Sequence, residues 1–326
     1  MVFVVGRLRA DFLCACKPPY VRRSPSIFSA FSTLFINNVN VATAAKGCRR
    51  LNITSFSPLR STDLVELEYA LLGLKEKTVD VGHVRIRQHV NPLSSSFLSP
   101  AEVPNWLQVF KDPTLPLMVD IGCGSGRFLI WLAKQDPDSK NFLGLEIRHR
   151  LVKRSQFWVN ELGLRNIHFI FANATVSFEQ LVSSYPGPLM LVSILCPDPY
   201  FKKRHHKRRV LQKPLLESIL KNLSPKGQVF VQSDVHEVAV YMRNQFDALP
   251  DVLQHIDTIH PSIKCDSQGW LLNNPLGIRT EREIHAEFEG AQIYRRMYQK
   301  NVARLFQEMG KVKSGWMMKN DSSVSI

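Results

Sequence analysis

The sequence predicts an α/β fold with a mostly parallel central sheet of about seven strands and helices on both of its faces. Short apolar runs alternate with amphipathic stretches after residue 116, and alternation at this spacing is typical of a parallel sheet covered on both sides. Several of the runs end in glycine, acidic or amide residues. Because ligands of such sheets bind beyond the carboxyl ends of the strands, we expect the functional residues at those ends.

The alternation defines the individual elements. It predicts strands over residues 117–121, 141–147, 167–173, 189–196 and 227–234, and helices over 127–135, 149–162, 210–223 and 236–248. Upstream, Asp63 followed by Glu66 predicts an N-cap that opens a further helix. The leucines of that stretch recur at helical spacing, at Leu64, Leu67, Leu71 and Leu74.

Composition disfavours two classes of protein. The sequence contains no run of 18 apolar residues, so it predicts no membrane span. Its six cysteines form no Cys-x-x-Cys pair, which disfavours a zinc site or a disulfide framework and suits a reducing compartment.

The first 60 residues differ from the rest of the chain. They contain nine Lys/Arg and a single acid, Asp11, together with many Ser, Thr and Ala. This composition is typical of a transit peptide that is removed after import into an organelle, and we expect a plastid rather than a mitochondrion. A basic tail that stays attached, on a nuclear or cytosolic protein, is the alternative. The predicted organisation is a transit peptide over 1–60, one domain over 61–310 and a disordered tail over 311–326.

The remaining charge is concentrated in one place. Residues 61–326 hold 33 Lys/Arg and 27 Asp/Glu, a net charge of +6, and the run KKRHHKRR at Lys202–Arg209 alone contains six of the basic residues. The domain is close to neutral apart from this patch. That distribution favours a localised anion site over a uniformly basic surface.

The first predicted strand leads into the glycine-rich stretch VDIGCGSGR. Gly122 and Gly124 allow the backbone to turn sharply and to approach a ligand closely, beside the N-terminus of the next helix. A nicotinamide-binding fingerprint would require glycine or alanine where Arg127 stands. Asp120, two residues before the first glycine, instead resembles the first motif of S-adenosylmethionine-dependent methyltransferases, in which the acid lies near the amino-acid end of the cofactor. A turn that is merely rich in glycine is the alternative.

The next two strand ends carry groups that suit a nucleoside. Glu146 can accept both ribose hydroxyls of an adenosyl group, and Arg148 follows it. Asn173 and Ala174 end the third run, where a side-chain amide and a backbone amide could read the adenine edge. Taken singly, Glu146 could be a favourable acid in the first turn of a helix, and Asn173 could form an Asx turn. Together with the glycine-rich turn they predict S-adenosyl-L-methionine as the cofactor.

The fourth strand leads to ILCPDPYF and then to the basic run. Asp198 lies between two prolines that constrain the turn, and the charges that follow can neutralise phosphates. Six such contacts would lower affinity about a thousandfold between 50 and 200 mM salt. The alternatives are an ordinary turn aspartate, and a solvated charged face or localisation signal.

The segment PDPYFKKRHHKRRVLQ (197–212) resembles the tRNA (guanine-N7)-methyltransferase family, which carries a Pro-Asp-Pro-aromatic turn followed by Lys, His and Arg-Arg. Further segments are similar in the same order: RIRQHVNPLS (85–94), SDVHEVAVYM (233–242) and NPLGIRTERE (274–283). The resemblance implies a Rossmann-like class I methyltransferase that transfers a methyl group from S-adenosylmethionine to guanine N7 of tRNA, at position 46 of the variable loop.

The resemblance also implies residue roles. The cofactor would be bound by Gly122, Glu146, Arg148, Asn173, Ala174 and Leu195. Asp198 would be the catalytic acid. The guanine and cofactor would be contacted by Lys202, Asp234, Thr280 and Glu283, and the RNA by Arg204, His205, His206, Lys207, Arg208 and Arg209. Thr280 with Glu283 also has the pattern of an N-terminal capping box.

Two other functions stay open at this point. Asp198-Pro199-Tyr200 is similar to the Asp/Asn-Pro-Pro-aromatic turn of enzymes that methylate amino groups of adenine or glutamine, although the second proline is missing. A catalytically silent tRNA-binding protein would keep the same fold. The sequence leaves open a monomer, a homodimer or a complex with a non-catalytic partner.

Overall fold

The structure is a computed structural model that describes residues 59–74 and 90–301. These residues belong to one unit, Pro58–Ile326. The predicted transit peptide up to residue 58, residues 85–89 of the first family-like segment and the predicted tail over 311–326 lie outside the described residues.

Seven strands form one sheet in the described part of the chain. In chain order they are β1 (Leu117–Ile121), β2 (Asn141–Glu146), β3 (Ile167–Phe171), β4 (Leu189–Leu195), β5 (Leu223–Ser233), β6 (Leu253–His255) and β7 (Tyr294–Lys300). Their order across the sheet is β3-β2-β1-β4-β5-β7-β6. The first five strands are parallel to one another, and β7 pairs antiparallel with both β5 and β6.

The α-helices of the described residues connect and cover these strands. They are α1 (Ser61–Glu68), α2 (Trp106–Val109), α3 (Arg127–Gln135), α4 (His149–Glu161), α5 (Ala174–Ser183), α6 (Lys213–Asn222), α7 (His236–Asp247), α8 (Ile256–Ile259) and α9 (Glu281–Phe288). Within the ranges that the structure describes, none of these helices has the length and apolar character needed to cross a membrane.

The strand at the middle of the parallel part is buried on both sides. All five residues of β1 are buried, as expected for a parallel sheet covered by helices. One core cluster packs β1, β4 and β5 against α5 and α6, with Phe178 and Ile219 almost fully buried. A second packs the sheet against α3 and α4 around Phe142 and Trp158. These two layers hold the carboxyl ends of β1 to β4 at one edge, where the candidate site lies.

Most of the predicted elements are confirmed. β1 and α3 have the predicted bounds, and the other predicted strands and helices overlap the observed ones, with ends that differ by up to four residues. The sequence did not predict α2, α5, α8, α9 or the strands β6 and β7, which pair antiparallel with each other.

The start of α1 is a correction. The N-cap is Arg60, whose backbone N–H donates to Asp63 at 2.9 Å, so Asp63 occupies the third helical position instead of the cap. The helix ends at Glu68, and Gly73 closes the following turn in a left-handed conformation with φ 63°. The leucine stripe is therefore broken, which leaves Leu67 and Leu71 mostly exposed.

Candidate active site

A cavity lies beyond the carboxyl ends of the parallel strands. Its walls bring together residues that the sequence predicted from four separate strand ends: Gly122, Glu146, Arg148, Asn173, Ala174, Asp198 and Arg208. The other predicted residues do not line it, namely Asp120, Gly124, Leu195, Lys202, Asp234, Thr280, Glu283 and the rest of the basic run. The cofactor-type groups and the catalytic candidate thus share one space.

The glycine-rich turn shapes the floor of this cavity. Gly122 has φ 80°, and a Cβ atom built on it would meet no atom within 4 Å, so the space above it is open to a ligand. Gly126 is the N-cap of α3 with φ 79°, and a Cβ there would lie 2.6 Å from Ser155 Oγ and 2.8 Å from the Phe169 ring. The positive φ favours glycine at 122, where the space is open, and the close packing of α3 requires glycine at 126.

Glu146 is the carboxylate at the centre of the site. Its side chain is buried and accepts four hydrogen bonds, from the Gly124 N–H at 2.9 Å and from the Arg148 N–H, Nε and Nη2 at 2.9, 2.9 and 3.1 Å. Burial lowers the pKa of Arg148, but the hydrogen bond to Glu146 together with the attraction of Glu146 and Asp198 outweighs this and raises the pKa overall. Because a carboxylate offers about four acceptor positions, a ribose that donates to Glu146 must replace one or more of these donors of Gly124 and Arg148.

Asp120 lies within β1, beneath the cavity. It is opposite Gly144 of β2 and Ser193 of β4, and Ser193 Oγ donates to its carboxylate at 2.7 Å. Burial raises the pKa of Asp120 to about 7, which the Ser193 hydrogen bond opposes and the nearby Glu146 charge reinforces. Burial thus brings the pKa of this carboxyl beneath the cavity close to neutral pH.

Asn173 holds a neighbouring segment in place. It is the N-cap of α5, where its Oδ1 accepts from the Thr175 N–H at 3.2 Å. Its Nδ2 donates to the carbonyl oxygens of Pro92 and Phe97, each at 3.1 Å. Both amide hydrogens are thus engaged by the protein, and the Oδ1 forms the Asx turn that the sequence left open as the alternative. Asn173 also lines the cavity, so its contact with the cofactor stays a prediction.

The segment of residues 90–98 is thereby fixed against the cavity, and Val90 and Pro92 line it. Its other anchor is Tyr200, whose hydroxyl donates to the Val90 carbonyl oxygen at 2.6 Å. The 90–98 segment therefore contacts the end of β3 through Asn173 and the turn of residues 196–200 through Tyr200. We call residues 196–200 the catalytic turn, after the role that the sequence predicts for Asp198.

The catalytic turn has a strained backbone. Cys196 and Tyr200, on either side of Asp198, have φ 48° and 43°, a region that non-glycine residues seldom occupy. Such conformations cost about 1–3 kcal/mol each and persist where the surroundings hold them. Here the Tyr200 hydroxyl holds one end, and Arg209 Nε donates to the Pro199 carbonyl oxygen at 3.0 Å. The turn is thus braced from two sides with Asp198 facing the cavity.

The basic run divides into exposed and internal side chains. It forms a 3-10 helix over Lys203–Arg208. The exposed members are Lys202, Lys203, Arg204 and Lys207, while His205 and His206 are partly buried. Arg208 lines the cavity, and its buried Nε has no hydrogen-bond partner among the described residues.

Arg209 is a correction. It is 4% exposed, pairs with Glu237 at 2.5 Å and lies over the Tyr241 ring at 5.0 Å. The prediction that Arg209 binds RNA is wrong, because its guanidinium is inside the protein and braces the catalytic turn through Pro199.

Thr280, Glu283 and Asp234 form a second group beside β5. Thr280 and Glu283 make the capping box of α9, and Glu283 is fully buried between Arg295 and Gln232. Its predicted contact with the guanine is therefore corrected to a structural role, since its carboxylate oxygens are engaged by the protein. Asp234 accepts from Arg282 Nε and Nη2 at 2.9 and 2.6 Å.

Sequence reasoning missed part of the cavity wall: Val90, Pro92, Ile147, Thr175, Cys196, Tyr200 and Val210. Tyr200 could have been predicted as a wall residue, because it is the aromatic residue that directly follows Pro-Asp-Pro. Val90 and Pro92 belong to the segment RIRQHVNPLS, but nothing in that segment indicates where it folds against the sheet.

The cavity fits S-adenosylmethionine by three observations. The open space over Gly122 allows close approach, Glu146 provides a buried acceptor, and Pro92, Ile147 and Ala174 offer apolar wall for a base. Charge, hydrogen-bond acceptors and apolar surface thus occur in the combination that a charged nucleoside ligand requires.

Comparison with known proteins gives matches to methyltransferases. Residues 114–296 match the family model described as "Putative methyltransferase". The chain is 47% identical over 215 residues to a tRNA (guanine-N(7)-)-methyltransferase of Synechococcus sp. (strain JA-2-3B'a(2-13)), covering 66% of this chain and 84% of that one. It is 43% identical over 220 residues to one of Synechocystis sp., covering 68% and 99%. A solved rRNA methylase from Streptococcus thermophilus aligns with TM-score 0.37 and 15% identity, covering 58% of this chain and 88% of that one.

The sheet order with a single antiparallel strand at β7, and a glycine-rich turn facing the acid at the end of β2, define a Rossmann-like class I methyltransferase. The matched segment covers the sheet from β1 to the middle of β7. The chain belongs to the tRNA (guanine-N7-)-methyltransferase family.

Proposed function

We propose that this protein methylates guanine N7 in tRNA with S-adenosylmethionine as the methyl donor. The observation that carries the proposal is the shared cavity, in which Asp198 of the catalytic turn lies with Glu146 and Gly122 of the cofactor side. The exposed lysines and arginine that follow Asp198 add a surface for a polyanion. Curated relatives with 43–47% identity carry the name of this activity.

The chemistry makes modest demands on the protein. When bound, the cofactor supplies a methyl group on a positively charged sulfur. Guanine N7 has a free lone pair at neutral pH, so its attack on that carbon needs no strong base; the N7–C bond forms as the C–S bond breaks, and the positive charge moves to the purine. The protein must therefore align the guanine and tolerate the charge that it gains.

Asp198 is suited to both tasks. A carboxylate can accept hydrogen bonds from guanine N1–H and the exocyclic amino group, and its negative charge stabilises a purine that becomes cationic. Arg148, which holds Glu146, is also attracted electrostatically by Asp198. The guanidinium of Arg148 thus connects Glu146, the carboxylate on the cofactor side, with Asp198, the proposed catalytic carboxylate.

The exposed basic residues would hold the tRNA. The exposed side chains of Lys202, Lys203, Arg204 and Lys207 follow the catalytic turn in the chain. Phosphate contacts of such side chains position a nucleic acid without reading its sequence. Guanine N7 faces the major groove edge, so recognition by shape and phosphates is expected for a folded RNA. We place the target in the variable loop, at position 46.

The test is methylation of tRNA by the full-length chain with labelled cofactor, followed by nucleoside mass spectrometry and cleavage at the modified site. Label in 7-methylguanosine with cleavage in the variable loop is the expected result. Label in another nucleoside, or in a protein, would replace the proposed substrate. Salt-sensitive tRNA binding without any label would replace catalysis with tRNA binding.

We also propose that residues 1–60 direct the protein to a plastid. The proposal is supported by the nine basic residues and single acid of this segment, and by the cyanobacterial origin of the relatives described above. Fusion of residues 1–60 to a fluorescent protein should give plastid fluorescence. Fluorescence in mitochondria, nucleus or cytosol would contradict it.

A further inference from the structure

Phe201, the residue after the cavity-lining Tyr200, is the most exposed phenylalanine of the described residues. Phe201 is 67% exposed, compared with 48% for Phe288 and 39% for Phe171. A single exposed phenylalanine is not unusual in itself. The position of Phe201 is unusual, because it directly follows a turn that the protein holds in a strained conformation.

The support beneath Phe201 is rigid. Tyr200 is anchored to Val90 through its hydroxyl, and Pro199 is anchored to Arg209 through its carbonyl oxygen. Tyr200 lines the cavity while the next side chain, Phe201, lies at the surface. A ring on a braced backbone loses little conformational freedom when a ligand covers it, so it is prepared for contact.

The surroundings of Phe201 favour one class of ligand. On one side, three residues earlier, Asp198 faces the cavity. On the other side follow the exposed side chains of Lys202, Lys203 and Arg204. An exposed aromatic ring next to basic side chains is the combination by which proteins bind unpaired nucleotides, through base stacking and phosphate contacts.

We propose that Phe201 stacks on the nucleobase next to the target guanine and so holds the RNA open for the guanine to enter the cavity. This inference rests on the proposed function and adds a substrate-contact residue to it. Stacking would act on the flanking base, since Asp198 and the cavity are reserved for the guanine itself. Its contribution is expected to be sequence-tolerant, because every base presents an aromatic face.

The first test uses Phe201→Leu and Phe201→Trp in the full-length chain. Phe201→Leu keeps an apolar side chain without the ring and should lower kcat/KM for tRNA about tenfold, whereas Phe201→Trp should retain most of it. Cofactor affinity, measured by calorimetry, should stay unchanged in both variants. Phe288→Leu is the matched control, since it removes an exposed ring from the end of α9, and should not change kcat/KM.

The second test separates stacking from a merely structural effect. tRNA is assembled with an abasic nucleotide on the 5′ or the 3′ side of the target guanine. If Phe201 stacks on one of these bases, Phe201→Leu should cause no further loss on the corresponding abasic tRNA. An undiminished loss on both abasic tRNAs, or no loss on intact tRNA, would overturn the inference. Absence of 7-methylguanosine with the unmodified protein would instead overturn the proposed function, so the two failures are distinguishable.

Discussion

The hydroxyl of Tyr200 donates to the carbonyl oxygen of Val90 at 2.6 Å and fastens the catalytic turn to the 90–98 segment. The same segment is fastened to Asn173 at the end of β3 by two further hydrogen bonds. The two walls of the cavity are thus connected through a single piece of chain, and a change at one anchor should reach the other wall.

Tyr200→Phe should weaken both halves of the site. Loss of a hydrogen bond of this kind costs about 0.5–1.5 kcal/mol, and here we expect it as a severalfold loss in both cofactor affinity and kcat/KM for tRNA. Calorimetry and initial rates measure the two effects. Tyr185→Phe is the control, because its hydroxyl donates to the Leu115 carbonyl oxygen, which precedes the start of β1. That variant should lower thermal stability without changing cofactor affinity, and equal effects of the two variants on cofactor affinity would contradict this account.

Asp198→Asn should preserve the shape of the catalytic turn and remove its charge. Because the purine becomes cationic during transfer, we expect the single-turnover rate at saturating cofactor to fall at least about tenfold. tRNA affinity should change much less, because the phosphate contacts of the exposed basic residues are unaffected. An unchanged rate would exclude Asp198 from the chemistry.

Asp120 should make stability depend on pH. Burial raises its pKa from 3.8 to about 7, so the folded protein binds this proton more tightly than the unfolded chain does. The stabilisation is complete below the unfolded value and is lost as pH rises through about 7. Asp120→Asn has no charge to bury, and Asn can still accept from Ser193. The difference in melting temperature between variant and unmodified protein should therefore shift in favour of the variant as pH increases; a constant difference from about pH 4 to pH 8 would show that Asp120 does not titrate there.

Lys207 and Arg209 should respond differently although they belong to the same basic run. Lys207→Gln should reduce the slope of log affinity against log salt for tRNA by up to about 0.7–0.9, the value of one phosphate contact. Arg209→Gln should leave the slope unchanged and lower the melting temperature, because Arg209 is buried against Pro199, Glu237 and Tyr241. A reduced slope with an unchanged melting temperature for Arg209→Gln would restore its predicted role in RNA binding.

The strands and helices of the parallel part of the fold could be predicted from the sequence, because each is marked by a pattern within its own short stretch of chain. Each strand is a short apolar run, and α3 begins and ends where its amphipathic pattern does. The late elements β6 and β7 were not readable. β7 has the largely polar sequence YRRMYQK and lies between β5 and the edge strand β6. Only this tertiary pairing makes it a strand.

The site residues could be predicted from the sequence where the residue type and its position at a strand end together indicate one chemical role. Glu146, Gly122 and Asp198 were predicted at strand ends, and the structure brings all three to one cavity. The amide hydrogens of Asn173 and the guanidinium of Arg209 are engaged by the protein, although their chemistry is suited to a ligand as well. Which of the two engages them depends on the 90–98 segment and on Glu237, whose positions no local pattern contains.

The most direct measurement is the identity of the nucleoside that receives the labelled methyl group when the full-length protein acts on bulk tRNA, compared with Asp198→Asn. We predict label in 7-methylguanosine for the unmodified protein and a strongly reduced rate for the variant. Label in any other nucleoside, or equal rates for the two proteins, would contradict the central claim that the cavity beside Asp198 methylates guanine N7.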